Sequence, residues 1–258
     1  MKPKELIARR VALEFRPGQL VNLGIGLPSL VALYVPAEMG VFFQSENGLV
    51  GLGARPDEGM EDPHLTDAGG GYVSTVPGAA SIDSAMSFGL IRGGHVDLTV
   101  LGGLQVDEMG RLANWMVPGK MVPGMGGAMD LATGAAKVIV AMQHVAGGES
   151  KIVPACTLPL TTERRVDLVV TDLAVLEPTG AGLVLRERAP GVSVEEILAA
   201  TEAALILPAG EVPEMALIEP TDAGLVLRER GPGVSVEAVL AATAARLIVE
   251  GDVPEMAF

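Results

Sequence analysis

The sequence of 258 residues is poor in cysteine and histidine. Cys156 is its only cysteine, so no disulfide can form within the chain. His64, His95 and His144 are scattered and make no metal-ligand spacing with Cys156. We therefore expect no metal site and a buried, inert thiol at Cys156, because free cysteine usually behaves as a small apolar side chain. A single free thiol is also typical of a reducing cytoplasm, which we expect as the compartment.

Positive charge is scarce as well. The chain has 18 Lys and Arg against 32 Asp and Glu, which gives a formal net charge of −14, and no basic run exceeds two residues. This pattern excludes the basic patch that a phosphodiester backbone requires, so we expect no nucleic-acid partner. Small anions stay open as ligands, because local backbone amides can hold a phosphate on a negative protein.

Long apolar runs are missing too. The longest uncharged stretch, residues 17–37, is interrupted by Pro17, Pro28 and Pro36 and by several glycines, so it predicts a strand, a loop and a helix. The first sixteen residues include acidic side chains and no continuous apolar segment, unlike a signal peptide. We expect no association with a membrane.

The residues that are present favour an α/β fold. Apolar residues make up 49% of the chain, and 33 glycines accompany only eight aromatic residues. Short apolar runs bounded by turn residues predict strands, and amphipathic segments between them predict helices. This alternation indicates an open, mainly parallel sheet flanked by helices. The predicted strands are 19–23, 41–44, 98–101, 137–142 and 166–171, and the helices 3–15, 29–35 and 81–92.

The last quarter of the chain contains a duplication. Residues 177–207 recur as residues 219–249 with 24 of 31 positions identical. Each copy predicts a strand, a turn, a helix and a final strand, but only the first has a complete capping box, Ser193 with Glu196. We therefore interpret residues 1–217 as the main domain. Residues 218–258, a duplication of 176–217, are expected to be an appendage that is partly disordered, pads an edge or swaps with a neighbour.

The polar stretch Ser45-Glu46-Asn47-Gly48 follows a predicted strand. A carboxylate at the end of a buried parallel strand points toward the edge of the sheet where ligands bind, and it can attack a thioester if it is held against it. The same four residues are also typical of a solvated Asn-Gly turn, because such turns are common and carboxylates near them are usually solvated. Local pattern alone favours the turn and leaves the catalytic interpretation open.

Two glycine-rich loops carry the other candidate residues. Residues 22–28 lead from a strand into a loop in which Gly24 and Gly26 allow close approach of a phosphate or pantetheine, although a purely structural turn fits too. Residues 118–130 lack the ending of a nucleotide-binding P-loop. Their backbone N–H groups could form an oxyanion hole, or the glycines could serve close packing with Lys120 as a solvated charge.

Together these segments resemble the family I coenzyme A transferases, and specifically the B subunit of the 3-oxoacid CoA-transferases. The stretches that carry the resemblance are NLGIGLP (22–28), QSENGLVGLG (44–53), GGHVDLTVLGG (93–103), PGKMVPGMGGAMDL (118–131) and CTLPLTTERRVDLVVTDLAV (156–175). The resemblance runs from about residue 3 to residue 217. It implies the open sheet that this family shares with some sugar-phosphate isomerases.

The resemblance implies roles for individual residues. Glu46 would attack an acyl-CoA and become a glutamyl-CoA thioester, and the backbone amide of Gly127 would help to form the oxyanion hole. Arg55, which replaces the small, aromatic or proline residues common after this loop, is an additional candidate contact for substrate or phosphate. Residues expected to contact coenzyme A are Asn22, Gly24, Gly26, Asn47, Gly126 and Lys120.

The resemblance also implies what the chain works with. Coenzyme A would be a substrate and covalent intermediate, with no permanently bound cofactor. An A subunit would complete the site in an A2B2 heterotetramer. The expected acids are succinate, carried as succinyl-CoA, and acetoacetate or 3-oxoadipate. The alternatives are an acyl-CoA hydrolase that uses Glu46 and a non-catalytic assembly subunit.

Overall fold

The computed structural model describes residues 1–119, 126–215, 217–221, 224–230, 235–243, 247–249 and 253. Lys120, one of the predicted coenzyme contacts, lies outside the described residues. All statements on the architecture refer to the described ranges.

Eighteen strands occur in this part of the chain, most of them short, apolar and rich in Val, Ile or Leu. They are β1 Leu20–Leu23, β2 Phe42–Ser45, β3 Leu49–Leu52, β4 Thr75–Ser81, β5 Leu98–Leu101, β6 Gln105–Asp107, β7 Leu112–Ala113, β8 Lys137–Ala141, β9 Val145–Ala146, β10 Glu149–Ser150, β11 Ile152–Val153, β12 Leu168–Val170, β13 Ala174–Thr179, β14 Gly182–Arg188, β15 Leu205–Ile206, β16 Leu217–Thr221, β17 Gly224–Glu229 and β18 Leu247–Ile248.

Five α-helices in the described ranges alternate with the strands, and each is short. They are α1 Pro3–Ala12, α2 Ser84–Arg92, α3 Ala128–Gly134, α4 Val194–Ala200 and α5 Val236–Ala242, with 3-10 turns at Pro28–Tyr34 and Ala37–Met39. Asp83 caps α2 by accepting from the Met86 amide, and Ser193 with Glu196 forms the predicted capping box of α4. No helix of the described residues is long and apolar enough to cross a membrane.

Ten of these strands form one sheet in the order β15-β14-β13-β12-β8-β5-β1-β2-β3-β4. The five central strands, from β12 to β2, are all parallel. Antiparallel pairs extend the sheet on both sides, through β3 and β4 at one edge and β13 and β14 at the other. The α/β fold with a largely parallel sheet is therefore confirmed.

The sheet separates two buried apolar layers. Alternate residues of β8 show this directly, because Ile139 belongs to one layer and Val138 and Val140 to the other. Helix α1 contributes Ile7 and other residues to the first layer. Helices α2, α3 and α4 contribute to the second. Because strands buried on both faces need mostly apolar side chains, the central strands are rich in apolar residues.

A group of charged side chains fastens α1 to the sheet. Arg10, which is 8% exposed, binds both carboxylate oxygens of Glu187 in β14, with N–O distances of 2.6 and 2.8 Å. Arg10 also donates to Glu14 at 2.8 Å, and Glu14 in turn accepts from Lys137 in β8 at 2.6 Å. Each buried charge therefore has an opposite charge in contact, as burial requires.

The two copies of the duplication have the same topology. In the first, β13 and β14 are antiparallel and β15 is parallel to β14 at the edge of the large sheet. In the second, β16, β17 and β18 repeat this arrangement as a separate three-stranded sheet. The copies contribute to opposite layers: Ile197 of α4 lies in the layer with α2 and α3, whereas its counterpart Val239 lies in the layer with α1.

Candidate functional site

The order of the sheet reverses between β1 and β5, next to the carboxyl end of β2. After β1 the chain adds β2, β3 and β4 on one side, and it then returns to add β5, β8 and β12 on the other. The loops that follow β1 and β5 therefore diverge. A crevice at such a switch point is the usual place for ligands in open parallel sheets.

Glu46 is the first residue after β2 and is half-buried. It lies in a tight turn closed by a 3.0 Å hydrogen bond from the Gly48 amide to the Ser45 carbonyl. Gly48 has a φ of +119°, and a Cβ there would lie 2.1 Å from the Ile82 carbonyl oxygen, so only glycine fits. Residues 45–48 therefore form the predicted turn and also place a carboxylate at the end of the strand.

The side chains on either side of Glu46 anchor this turn to the loop that precedes β4. Ser45 Oγ accepts from the Ala68 amide at 2.9 Å. The Asn47 side chain, which is exposed, donates to the Thr66 carbonyl at 2.8 Å. Both bonds hold the backbone of the turn and leave the Glu46 carboxylate unencumbered.

Asn22, in β1, lies directly beside Glu46. It is fully buried, and its Nδ2 is 3.4 Å from Glu46 Oε2. The same nitrogen donates to the Gln44 backbone carbonyl at 3.0 Å and to Gln44 Oε1 at 2.8 Å. Asn22 was predicted to contact coenzyme A; in the free chain its amide contacts Gln44 and Glu46.

Gly127 closes the site from the opposite side. A Cβ on Gly127 would lie 3.0 Å from Glu46 Cγ and 3.3 Å from both Cβ and Cδ, so the glycine backbone packs against the length of the glutamate. Gly126 precedes it with a φ of +47° and has open space beside it. Two distant segments that the sequence singled out, residues 44–48 and the end of residues 118–130, are thus brought together.

A cavity of about 560 Å³ opens beside this turn. Gly24 and Gly26 form one wall, and Gly24 approaches β5 so closely that its amide donates to the Val100 carbonyl at 2.8 Å. Arg55 contributes the cation of the lining and makes no ion pair with the described residues. The lining residues are Leu23, Gly24, Ile25, Gly26, Ser29, Ala32, Leu33, Phe43, Gln44, Ser45, Leu52, Gly53, Ala54, Arg55, Asp67, Ala68, Gly69, Gly70, Gly71, Tyr72 and Val73.

The only acidic side chain in that lining, Asp67, is occupied by its own loop. Its Oδ1 accepts from the amides of Gly69 and Gly71, both at 2.8 Å. The carboxylate therefore shapes the loop and is not aimed at Arg55. A cavity whose described lining combines apolar side chains and glycines with the Arg55 cation suits an organic molecule that carries a negative group.

Sequence reasoning missed two residues of this region, Gln44 and Ser87. Gln44 is 2% exposed, and its Nε2 donates to Ser87 Oγ of α2 at 2.9 Å. A glutamine inside the apolar stretch 41–44 was a usable signal, since a polar residue in a buried strand needs a partner. Nothing in the sequence around Ser87 reveals its pairing.

Cys156 and the histidines lie outside the site. Burial, with the charge of Asp107, raises the pKa of the half-buried Cys156 thiol to about 12, so it stays protonated at neutral pH and is a poor nucleophile. His144 is buried between Thr171 and Thr201. Among the described residues, no three His, Cys, Asp or Glu side chains are grouped so that they could hold a metal ion.

Residues 4–200 of the chain match the sequence model of the protein family described as Coenzyme A transferase. The chain belongs to the coenzyme A transferase family. The match includes both glycine loops and the turn with Glu46, so the resemblance predicted from the motifs is confirmed.

Within this family, the chain is similar to B subunits. It is 56% identical over 208 residues to the beta subunit of the acetate CoA-transferase of Haemophilus influenzae, covering 80% of this chain and 93% of that one. It is 51% identical over 201 residues to the B subunit of the succinyl-CoA:3-ketoacid coenzyme A transferase of Helicobacter pylori, covering 78% and 97%. The chain is thus a coenzyme A transferase of the B-subunit type, as predicted.

A solved structure supports the fold. The acyl-CoA transferase apoenzyme of Escherichia coli O157:H7 superposes with a TM-score of 0.66 at 24% identity over 81% of this chain. The chain spans only 42% of that longer protein. This coenzyme A transferase therefore corresponds in fold to one part of a larger relative.

Proposed function

We propose that this coenzyme A transferase chain moves coenzyme A between an acyl-CoA and a small carboxylic acid through a glutamyl-CoA thioester on Glu46. The observation that carries the proposal is the setting of Glu46. Its carboxylate lies at the carboxyl end of a central strand, against Gly127, and makes no ion pair with a described residue. A carboxylate without a counter-charge keeps its electron density available for attack.

The steps conserve the thioester bond. A Glu46 oxygen attacks the thioester carbonyl carbon, the C–S bond breaks, and the coenzyme A thiolate leaves an acyl-glutamyl anhydride. The thiolate then attacks the glutamyl carbonyl and expels the first acid as its carboxylate. The second acid reverses both steps and leaves as the new acyl-CoA, which restores Glu46. The reaction needs no redox change, and we propose no permanently bound cofactor.

We propose that neighbouring groups act by position. The Gly127 amide would stabilise the oxyanion of each tetrahedral intermediate, which is the largest single contribution in many acyl transfers. The support is its packing against Glu46. Coenzyme A would contact Gly24 and Gly26 in the cavity wall, Asn22 and Asn47 beside Glu46, Gly126 beside Gly127, and Lys120.

Water has to be excluded, because it would hydrolyse the glutamyl thioester. The nucleotide end of coenzyme A lies far from the thioester, and the energy of its binding can then be used to press the thioester against Glu46. We propose that an A subunit closes the site in an A2B2 heterotetramer in the cytoplasm. The naming of the relatives as beta and B subunits supports a heteromeric enzyme.

For the acids, we propose succinyl-CoA as donor and acetoacetate or 3-oxoadipate as acceptor. The name of the Helicobacter pylori relative, a succinyl-CoA:3-ketoacid transferase, supports this pair. Acetate is a second candidate acceptor, because the more similar Haemophilus influenzae relative is named for acetate. The cavity of about 560 Å³ has room for any of these small acids.

The test is a transfer assay with the chain reconstituted with its A subunit. Succinyl-CoA is offered with acetoacetate, 3-oxoadipate or acetate, and both new acyl-CoA and free coenzyme A are measured. We expect new acyl-CoA to form with at least one acid and Glu46→Ala to lose more than about 1,000-fold in rate. The control is Glu38→Ala, an exposed carboxylate away from the site. Release of free coenzyme A at the same rate without any acid would instead indicate a hydrolase.

A further inference from the structure

A row of buried polar side chains crosses the sheet beneath Glu46. Gln44, Asn22 and Thr99 are register partners in β2, β1 and β5, so their side chains lie on the same face of the sheet. Ser87 of α2 packs onto this row from above. All four residues are at most 2% exposed. Buried polar groups are costly without hydrogen-bond partners, so the role of this row depends on which of its atoms bond to each other.

The direction of each hydrogen bond can be assigned from one backbone group. The Gln44 backbone carbonyl can only accept, so the atom of Asn22 that lies 3.0 Å from it must be the amide nitrogen. The same nitrogen faces the Gln44 side chain, which must therefore present Oε1, at 2.8 Å. Gln44 Nε2 is then left to donate to Ser87 Oγ at 2.9 Å. One orientation satisfies all three contacts.

Asn22 Nδ2 has two hydrogens and three acceptors within reach. The two oxygens of Gln44 are close, whereas Glu46 Oε2 is 3.4 Å away. Asn22 Oδ1 is buried and has no hydrogen-bond partner among the described residues. The orientation of the Asn22 amide therefore depends on what its nitrogen donates to, and Gln44 supplies the two shorter of those bonds.

We propose that Gln44 is a positioning residue for the nucleophile: it holds the Asn22 amide so that Nδ2 faces Glu46, and Ser87 holds Gln44. This inference rests on the proposed role of Glu46. Without the Gln44 side chain, the Gln44 backbone carbonyl still holds one hydrogen of Asn22 Nδ2, and the other hydrogen is freed to form a full hydrogen bond with the Glu46 carboxylate. That bond would displace Glu46 from its place against Gly127.

A packing role for the same residues makes different predictions. If Gln44 and Ser87 only fill space, their replacement lowers the stability of the enzyme and does not change the kcat of the folded form. If they position Glu46, the loss is in kcat, because the carboxylate and not the substrate site is displaced. Two residues that act through one chain of hydrogen bonds must also show non-additive effects.

The experiment compares Gln44→Met, Ser87→Ala and the double variant in the reconstituted heteromer. We expect Gln44→Met to lower kcat about 10- to 100-fold with the KM for acyl-CoA changed less than about threefold. Ser87→Ala is expected to lower kcat by a smaller factor, and the double variant to match Gln44→Met alone. Ser87→Thr, which keeps the hydroxyl, should restore most of the loss caused by Ser87→Ala.

Thr99→Val is the matched control. Thr99 flanks Asn22 in the same row on the other side, is equally buried, and its hydroxyl has no hydrogen-bond partner in the described part of the chain. Because removal of this hydroxyl breaks no hydrogen bond of the described residues, we expect kcat to stay within about twofold of the wild type. The inference is overturned if Gln44→Met keeps full kcat, if the double variant shows additive losses, or if Thr99→Val loses as much as Gln44→Met.

Two additional readouts separate the possible failures. Melting temperature and assembly with the A subunit are measured for every variant. If Gln44→Met does not fold, the comparison of Ser87→Ala with Ser87→Thr decides. Equal kcat values for these two variants would overturn the proposal. Coenzyme A attached to Glu46 in the wild type is measured in parallel. If the wild type forms no such adduct, the proposed function fails; if it does and the variants turn over normally, only the positioning role fails.

Discussion

Glu46 gains its chemical character from what surrounds it. It is half-buried at a strand end, its nearest polar contact is the Asn22 amide at 3.4 Å, and Gly127 lies along its side chain. A carboxylate is a weak nucleophile in water, so most of its reactivity in a protein must come from orientation and from the exclusion of solvent. Gly127 matters because, without a side chain, its backbone can approach Glu46 closely and still leave the carboxylate free to reach the substrate.

Replacement of Gly127 by alanine tests this contact. Gly127 has a φ of −81°, which alanine adopts freely, so the change introduces crowding and not backbone strain. The new Cβ would lie 3.0 Å from Glu46 Cγ. We expect kcat to fall about 100-fold with little change in melting temperature, as measured by the transfer assay and by thermal unfolding.

Gly89→Ala is the control for this substitution. Gly89 is exposed within α2, and a Cβ there meets no atom within 4 Å. It should have full activity and slightly higher stability, because alanine is the better helix former. An active Gly127→Ala enzyme would show that the close packing against Glu46 has no catalytic importance.

The residues of the site differ in how visible they are in the sequence. Glu46 and Gly127 stand in short motifs with unusual composition, and the fold brings them into contact. Gln44 and Ser87 were missed because their role depends on the register between β1 and β2 and on the packing of α2. A single sequence contains neither the register nor the packing.

At the level of elements, the central parallel strands were predictable and the edges were not. Strands β1, β2, β5, β8 and β12 lie within one or two residues of their predicted ranges, because each is a buried apolar run between turn residues. The hairpin β3–β4 was missed, since β4 is largely exposed and contains Pro77 and Gly78. An exposed strand lacks the apolar pattern that marks a buried one.

His144 is an example of an element-level contact hidden from the sequence. It follows β8, its Nδ1 lies 3.0 Å from Thr171 Oγ1 after β12, and its Nε2 lies 2.9 Å from Thr201 Oγ1 at the end of α4. The fully buried imidazole thus joins the parallel sheet to the first copy of the duplication. Burial lowers the pKa of His144 from 6.5 to about 4, although the Asp172 carboxylate opposes this shift.

This pKa predicts how stability depends on pH. Below pH 6.5 the unfolded chain binds a proton on His144, whereas the folded chain does not until about pH 4. The free energy of unfolding should therefore decrease as pH falls through this window, by up to about 3 kcal/mol from this group. Urea unfolding at pH 7, 6 and 5 measures the effect.

The variants His144→Gln and His64→Gln identify the source of the slope. His64→Gln is the control, because His64 is exposed and lies outside the contact of His144 with Thr171 and Thr201. His144→Gln should flatten the dependence between pH 7 and 5, at the cost of lower stability at pH 7. An unchanged slope in His144→Gln would show that other groups titrate in this window.

On the scale of the whole molecule, the main feature is the duplication in the last quarter of the chain. The first copy completes the large sheet, and its Glu187 binds Arg10 of α1. The second copy forms its own small sheet and adds Leu227, Val239 and Leu247 to the layer beside α1. We therefore propose that residues 1–217 are the catalytic unit and residues 218–258 an appended duplicate.

Removal of residues 218–258 tests this division. We expect the shortened chain to remain soluble, to assemble with the A subunit and to retain activity, because the large sheet and the site lie within residues 1–217. Its melting temperature should drop by several degrees, since the apolar layer beside α1 would lose Leu227, Val239 and Leu247. Insoluble or inactive protein would show that the second copy is an integral part of the domain.

A second truncation, after residue 175, is the control for the first. It removes nearly all of β13 and all of β14 and β15, and with them Glu187, so that Arg10 keeps only Glu14 as a partner. Because the large sheet also loses the buried apolar side chains of these strands, this chain should not fold. The contrast between the two truncations locates the end of the essential unit.

Mass spectrometry of the peptide that contains Glu46 tests most directly whether a glutamyl-CoA thioester forms there. The reconstituted heteromer is incubated with succinyl-CoA in the absence of an acceptor acid, quenched in acid and digested. If Glu46 is the nucleophile, we expect coenzyme A attached to Glu46, loss of this adduct on addition of an acceptor acid, and no adduct in Glu46→Ala. An adduct on another residue, or steady transfer by the enzyme with Glu46 unmodified throughout, would contradict it.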